Sequence, residues 1–269
     1  MKKKLLVVLV LLSNILLGKD YALIVGVWDY KSAEKFNDLN EKVVKNDIAT
    51  YKKILIGWNV TNDNITIIKN RNATKDKIID ELKKISNEKS IDRFYMFFTG
   101  HGLSAKNPHY KNIKLKNRTL GDLLKNSGAI VPFGHKKSNF GKTLIVGCQD
   151  LRPLLEKIDN KAKTGLIMFD ACYSKKSSRD NKTKKRINLS KKTLCPDKDM
   201  GYPYKKLVYI SSSSIKAELG NVSKGLKKCL SKGENQTLTK NEIEKCIQDI
   251  SELKAQRAKV FGQNNVSVF

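Results

Sequence analysis

An α/β fold, with a central and mostly parallel sheet flanked by helices, follows from three features of this 269-residue sequence. Runs at 21–27, 94–98, 166–169 and 207–210 are apolar without polar alternation. Strands covered on both faces read this way, and such strands belong to parallel sheets. Segments with apolar residues at a 3.6-residue period alternate with these runs, as crossover helices require. Two of the runs also end on reactive residues, Gly100-His101-Gly102 and Asp170-Ala171-Cys172. In open α/β sheets chemistry collects at the carboxyl ends of the strands.

The elements follow in order. Residues 1–18 read as a targeting segment: Lys2, Lys3 and Lys4 precede an apolar stretch too short for a comfortable membrane span. Export to a periplasm or beyond is the expectation, with this segment outside the fold. The first strand, 21–27, leaves into a polar loop at Trp28-Asp29-Tyr30. A helix over 38–56 follows, its inward face Val43, Val44, Ile48, Tyr51, Ile54 and Leu55. A second strand covers 65–68. Thr74 then caps a helix over 75–86 with Ile78, Ile79, Leu82 and Ile85 inward. The third strand, 93–99, delivers His101 between two glycines.

Residues 103–146 form a long polar stretch with Gly, Asn and Lys, of the kind that is functional or mobile. His109 and His135 lie in it, but with Cys148 they match no zinc spacing, and no metal site is expected. Asp150 is a candidate N-cap for a helix over 151–158, ahead of the strand that ends at Cys172. Residues 175–192 are dense in Lys and Arg and read as an exposed linker. A strand at 206–211 and helices near 223–231 and 240–253 complete the chain, with a capping box at Thr239 and Glu242.

The length suits one α/β domain. Lys and Arg number 53 against 26 acids, a formal net charge of +27. That excess fits either an anionic partner or a lysine-rich composition. The lysines are scattered and no stacking series of aromatics accompanies them, so specific nucleic-acid binding is not expected. Of the five cysteines, four can form two bridges while Cys172 stays a thiol. Cys229 with Cys246, in successive helices, is the preferred pair; Cys148 and Cys195 are either bonded or free.

A thiol needs a base to become a thiolate at neutral pH. His101 and Cys172 lie 71 residues apart, ample for a crossover between parallel neighbours. Alone, Cys172 reads as a small buried hydrophobe and His101 as a solvated loop residue; at matching strand ends they read as a dyad.

Thr99-Gly100-His101-Gly102 together with Asp170-Ala171-Cys172-Tyr173-Ser174 resembles the caspase-like cysteine peptidases of clan CD, in particular the bacterial and metacaspase branch. The resemblance runs from about residue 21 to the C-terminus. It implies a caspase–haemoglobinase-like three-layer sandwich over 19–269. The parts would be a large-subunit-like region at 19–174, a basic linker at 175–205 and a small-subunit-like region at 206–269. It implies a cysteine endopeptidase in which Cys172 attacks, His101 moves the proton, and backbone N–H groups of Gly102 and Cys172 hold the oxyanion. Asn46-Asp47-Ile48-Ala49 falls where the family carries Asn-Asp-Ala. By that match Asp47, Thr99 and Asp170 line a pocket for the Lys or Arg before the scissile bond, and self-cleavage in the linker becomes possible chemistry.

The sequence departs from the family at several points. Asp170 replaces the Gln of animal caspases, Phe98-Thr99 replaces Tyr-Ser, and Tyr173 replaces a common His. Ala129-Ile130-Val131-Pro132 resembles the family's short strand before a Pro, and Phe133-Gly134 follows it where an Asp is common. The acid cluster of calcium-dependent relatives is not seen in the sequence, so calcium dependence is not carried over, calcium activation is left open, and no cofactor is expected. Two other readings remain open: a catalytically silent caspase-like binding module, and a basic surface protein with an anionic partner.

Overall fold

The computed structural model describes residues 19–31, 36–104, 111–124, 127–136, 139–173, 202–211, 220–230, 238–250 and 258–268. The targeting segment 1–18, the basic linker 175–192, His109, Cys195 and the stretch 212–219 lie outside the described residues. Among the described residues there are eight strands: β1 (Lys19–Gly26), β2 (Ile65–Lys69), β3 (Ile91–Ser104), β4 (Gly128–Ile130), β5 (Ile145–Val146), β6 (Ala162–Tyr173), β7 (Leu207–Ser211) and β8 (Lys259–Phe261). The helices are α1 (Glu41–Gly57), α2 (Lys75–Ser86), α3 (Leu120–Leu123), α4 (Phe140–Thr143), α5 (Arg152–Lys161), α6 (Asn221–Leu230) and α7 (Lys240–Asp249).

The sheet runs β2-β1-β3-β6-β7-β8. Its first five strands are parallel, and β8 pairs antiparallel with β7. A short antiparallel addition, β4 with β5, pairs with the far end of β3. Side chains alternate across β3. Phe94, Met96 and Phe98 pack against Ile78 and Leu82 of α2 and Leu155 and Ile158 of α5. Tyr95 and Phe97 pack on the other side against Val44, Tyr51 and Leu55 of α1, with Leu226 of α6 and Ile243 of α7 in the same cluster. Both faces are covered, which is why the strands carry no polar alternation. The result is the expected three-layer α/β sandwich.

Several boundaries differ from the sequence reading, each for a local reason. β3 does not stop at Thr99 but continues through Gly100-His101-Gly102, because β4 and β6 both pair with that extension. Cys172 likewise lies inside β6. α1 starts at Glu41, capped by Asn40, rather than at residue 38. Asp38 is drawn away, since its carboxylate accepts the Tyr30 N–H at 2.7 Å. Asp150 does not cap α5: it accepts from the Val146 N–H at 2.7 Å and pairs with Lys75 Nζ at 2.8 Å. A π-helical turn, Gly147–Leu151, precedes α5, and the proline near its start suits a first turn. The packed chain also resumes before residue 206. Tyr204 is buried, and the Asp159 carboxylate accepts the N–H groups of Lys205, Lys206 and Leu207.

The caps at Thr74 and the box at Thr239 and Glu242 form as read. So does the Cys229–Cys246 bridge, which ties α6 to α7 across a sequence separation of 17. Closing a loop of that size contributes about 3 kcal/mol through the unfolded chain. Replacing both cysteines by serine is expected to lower the unfolding free energy by about that amount in a denaturant titration. Cys148 is disulfide-bonded as well and is not free. No helix among the described residues is long and apolar enough to cross a membrane.

Candidate active site

The site lies where β3 and β6 run out together. Their register pairs Thr99 with Asp170, Gly100 with Ala171, His101 with Cys172 and Gly102 with Tyr173. Adjacent strands lie about 4.8 Å apart, so His101 and Cys172 are direct neighbours across the sheet.

His101 is held from three sides. Its ring Nε2 lies 2.8 Å from the carbonyl oxygen of Asn37. A carbonyl only accepts, so Nε2 carries a proton, and in the neutral ring Nδ1 is then the acceptor. The ring packs against Tyr30, with centroids 4.5 Å apart, and against Phe36 at 5.2 Å. The backbone is fastened too. The His101 N–H donates to the Tyr30 hydroxyl at 2.9 Å, and that hydroxyl donates to the Val131 carbonyl at 3.2 Å. The Val131 N–H returns to the His101 carbonyl at 2.9 Å. Tyr30, Phe36 and Val131 are buried with the histidine, His101 being 4 % exposed, whereas Asn37 is exposed.

Gly100 makes room for this arrangement. A Cβ there would stand 2.7 Å from the Tyr30 hydroxyl and 2.8 Å from the Phe98 ring. Gly100→Ala is therefore expected to cost about 1–3 kcal/mol of stability, read by chemical denaturation, by pushing Tyr30 off the His101 backbone.

Beside the dyad position three polar residues meet. The Thr99 hydroxyl donates to Asp47 Oδ2 at 3.1 Å, and the Ser223 hydroxyl of α6 donates to Asp47 Oδ1 at 2.6 Å. Asp170 stands next to Thr99 across the β3–β6 pair. Both acids are almost sealed from water, Asp47 at 2 % and Asp170 at 0 % exposure. Burial raises the Asp47 carboxyl above its ordinary 3.8, against the hydrogen bonds from Ser223 and Thr99 and the nearby charge of Lys224. Gly220, at φ +86°, lets the chain enter α6 close to Asp47: a Cβ there would lie 3.5 Å from Oδ1. A groove of about 680 Å³ opens behind Asp47 between α1 and α6, with Lys53, Lys224 and Lys227 on its walls. It reaches Asp47 and Ser223 but, among the described residues, not Thr99, Asp170 or His101.

A family model of the caspase domain matches residues 19–249. The chain belongs to the caspase domain family. Membership in this peptidase family implies protein or peptide substrates. This caspase domain is also similar in fold to the crystal structure of a protein from Geobacter sulfurreducens. The TM-score is 0.53 and the identity 15 %, with 94 % of this chain and 99 % of that one covered. A search of curated proteins finds none that matches.

Within this caspase domain the residues read from sequence fall as follows. His101 and Cys172 are register partners, and Asp47, Thr99 and Asp170 converge beside them. His135 does not join them: its Nδ1 lies 2.7 Å from the Thr143 hydroxyl, and burial pushes it down to about 4. Among the described residues no three metal-ligating side chains gather. Sequence reading missed Tyr30, Phe36, Asn37 and Ser223. Asn37 acts through its carbonyl, which no side-chain pattern reports. Tyr30 sits in a loop without periodicity, and its only signal is the neighbouring need for Gly100.

Proposed function

We propose that this caspase domain is a cysteine endopeptidase that uses Cys172 and His101 and cleaves after Lys or Arg. The observation that carries the reading is the β3–β6 register, which pairs His101 with Cys172. With Nε2 bound to the Asn37 carbonyl, Nδ1 is the acceptor of the neutral ring. Cys172 attacks the scissile carbonyl as thiolate, and His101 gives its proton to the leaving amine. His101 directs its own backbone N–H and C=O toward Tyr30 and β4. Strand alternation then turns those of Gly102 toward β6, where the ladder engages the Gly102 and Cys172 N–H groups; by the family pattern these two groups leave the ladder and receive the oxyanion when substrate binds. Water activated by His101 releases the acyl group. In this reading Cys195 is the partner of Cys148, and Cys172 keeps its thiol.

Asp47, Thr99 and Asp170 form the pocket for the basic residue. Sealed carboxylates are short of solvation, and a substrate cation replaces it with charge-assisted hydrogen bonds. Export directed by residues 1–18 and self-processing in the basic linker belong to the same reading. Its test uses protein lacking residues 1–18, kept under mild reductant, on fluorogenic peptides ending in Arg, Lys or Asp, with and without calcium. Thiol-dependent cleavage after Arg or Lys is the expected result. Cleavage after Asp alone would keep the dyad and reject the pocket, and no cleavage by folded protein would favour the silent binding module.

A further inference from the structure

Tyr51 is a buried ionisable residue that this reaction leaves unused. It lies one helical turn beyond Asp47 on α1. A step of four residues advances a helix by about 6 Å, and two strand residues span about 6.6 Å. α1 therefore stays in step with β3. Asp47 sits on Thr99, and Tyr51 stacks on Phe97 with ring centroids 4.8 Å apart and planes at 12°. The β6 neighbours of Thr99 and Phe97 are Asp170 and Met168. Helical side chains lean toward the helix N-terminus, which tilts the Tyr51 ring toward Asp47. Tyr51 is 0 % exposed, and its hydroxyl finds no hydrogen-bond partner among the described residues. Burial, then the charges of Asp170 and Asp47, hold the phenol well above 10, so it keeps its proton. A phenylalanine would stack on Phe97 as well, without an unsatisfied buried oxygen.

We propose that the Tyr51 hydroxyl is a specificity-determining group that favours arginine over lysine in the pocket formed with Asp47 and Asp170. The inference rests on the basic pocket proposed above. Both Asp47 oxygens already receive bonds from Ser223 and Thr99. A lysine ammonium is a compact donor that two carboxylates satisfy at one point. A guanidinium spreads five N–H donors over a plane and carries some of them past the carboxylates. Tyr51, on the inner side of Asp47, supplies the acceptor there, while its own proton goes to a carboxylate.

The test is Tyr51→Phe, which removes the oxygen and nothing else. Peptides differing only in Arg or Lys before the scissile bond are compared. The Arg-to-Lys ratio of kcat/KM is expected to fall about tenfold or more, with the Lys peptide losing far less. Thermal unfolding should show an intact, equally stable or more stable fold. An unchanged ratio in a variant that still cleaves both peptides overturns the inference and leaves the basic pocket standing. A parent enzyme with no preference for Arg or Lys rejects the pocket and the inference together. A second measurement needs no turnover. With Cys172→Ala as background, calorimetry of agmatine and 1-aminopentane should show tighter binding of agmatine, and Tyr51→Phe should erase the difference. Equal affinities with Tyr51 present overturn the inference.

Discussion

Cys172→Ala is expected to lower peptide cleavage by about 10⁴-fold or more, with the thermal unfolding midpoint held. The thiol is the nucleophile in the proposed reaction, and among the described strand pairs no other cysteine stands in register with a histidine. His101→Gln is expected to cost a similar factor. Glutamine keeps a donor for the Asn37 carbonyl while removing the base, so the loss reports on proton transfer rather than on packing. The double variant should be no worse than either single one, because the two residues act as a unit. Alkylation by iodoacetamide gives an independent reading. In the parent its pH profile should show a thiolate formed below the ordinary thiol range of about 8.5. In His101→Gln the profile should move up. Full activity in Cys172→Ala would remove the peptidase reading.

The second large effect is expected at Asp47. Asp47→Asn retains groups able to meet the Ser223 and Thr99 hydroxyls but removes the charge. Cleavage after Lys or Arg should drop by at least about 50-fold, since a substrate cation loses a buried partner. Stability should move the other way. Burial raises the Asp47 pKa, so its charged form is the costly one in the fold. The sign follows: the cost is present above the folded-state pKa and is relieved as pH falls through it toward 3.8. Asp47→Asn relieves the same cost at neutral pH, so its unfolding temperature should rise. In the parent, kcat/KM for basic peptides should fall on acidification from a higher pH than an ordinary carboxylate would give. A variant that lost stability as well as activity would place Asp47 in the fold rather than in the pocket.

Much of this architecture was legible because it rests on local rules. Apolar runs without alternation marked β1, β3, β6 and β7, since strands covered on both faces have no wet side to encode. Thr74 and Thr239 announced their helices through side chains that satisfy the first-turn N–H groups. Asp150 misled for the same reason: a good capping residue was claimed by Lys75 and the Val146 N–H, partners distant in sequence or set by a local π turn. The end of β3 was placed too early because Gly100 and Gly102 read as loop. Pairing with β4 and β6 keeps them extended.

The sequence by itself determined the order of strands and helices, the two strand ends that carry His101 and Cys172, and the acids that match the family's pocket. Periodicity and motif are properties of neighbouring residues, and such properties survive in one dimension. The tertiary structure decided what those residues touch. It supplied the Asn37 carbonyl that sets the His101 tautomer, the Tyr30 hydroxyl under the His101 backbone, Ser223 brought to Asp47 from 176 positions away, and Tyr51 in step with Phe97. Each of these is a contact between segments joined only by packing. Hydrogen bonds and stacked rings depend on separations of a few ångströms in space, which the distance along the chain does not encode.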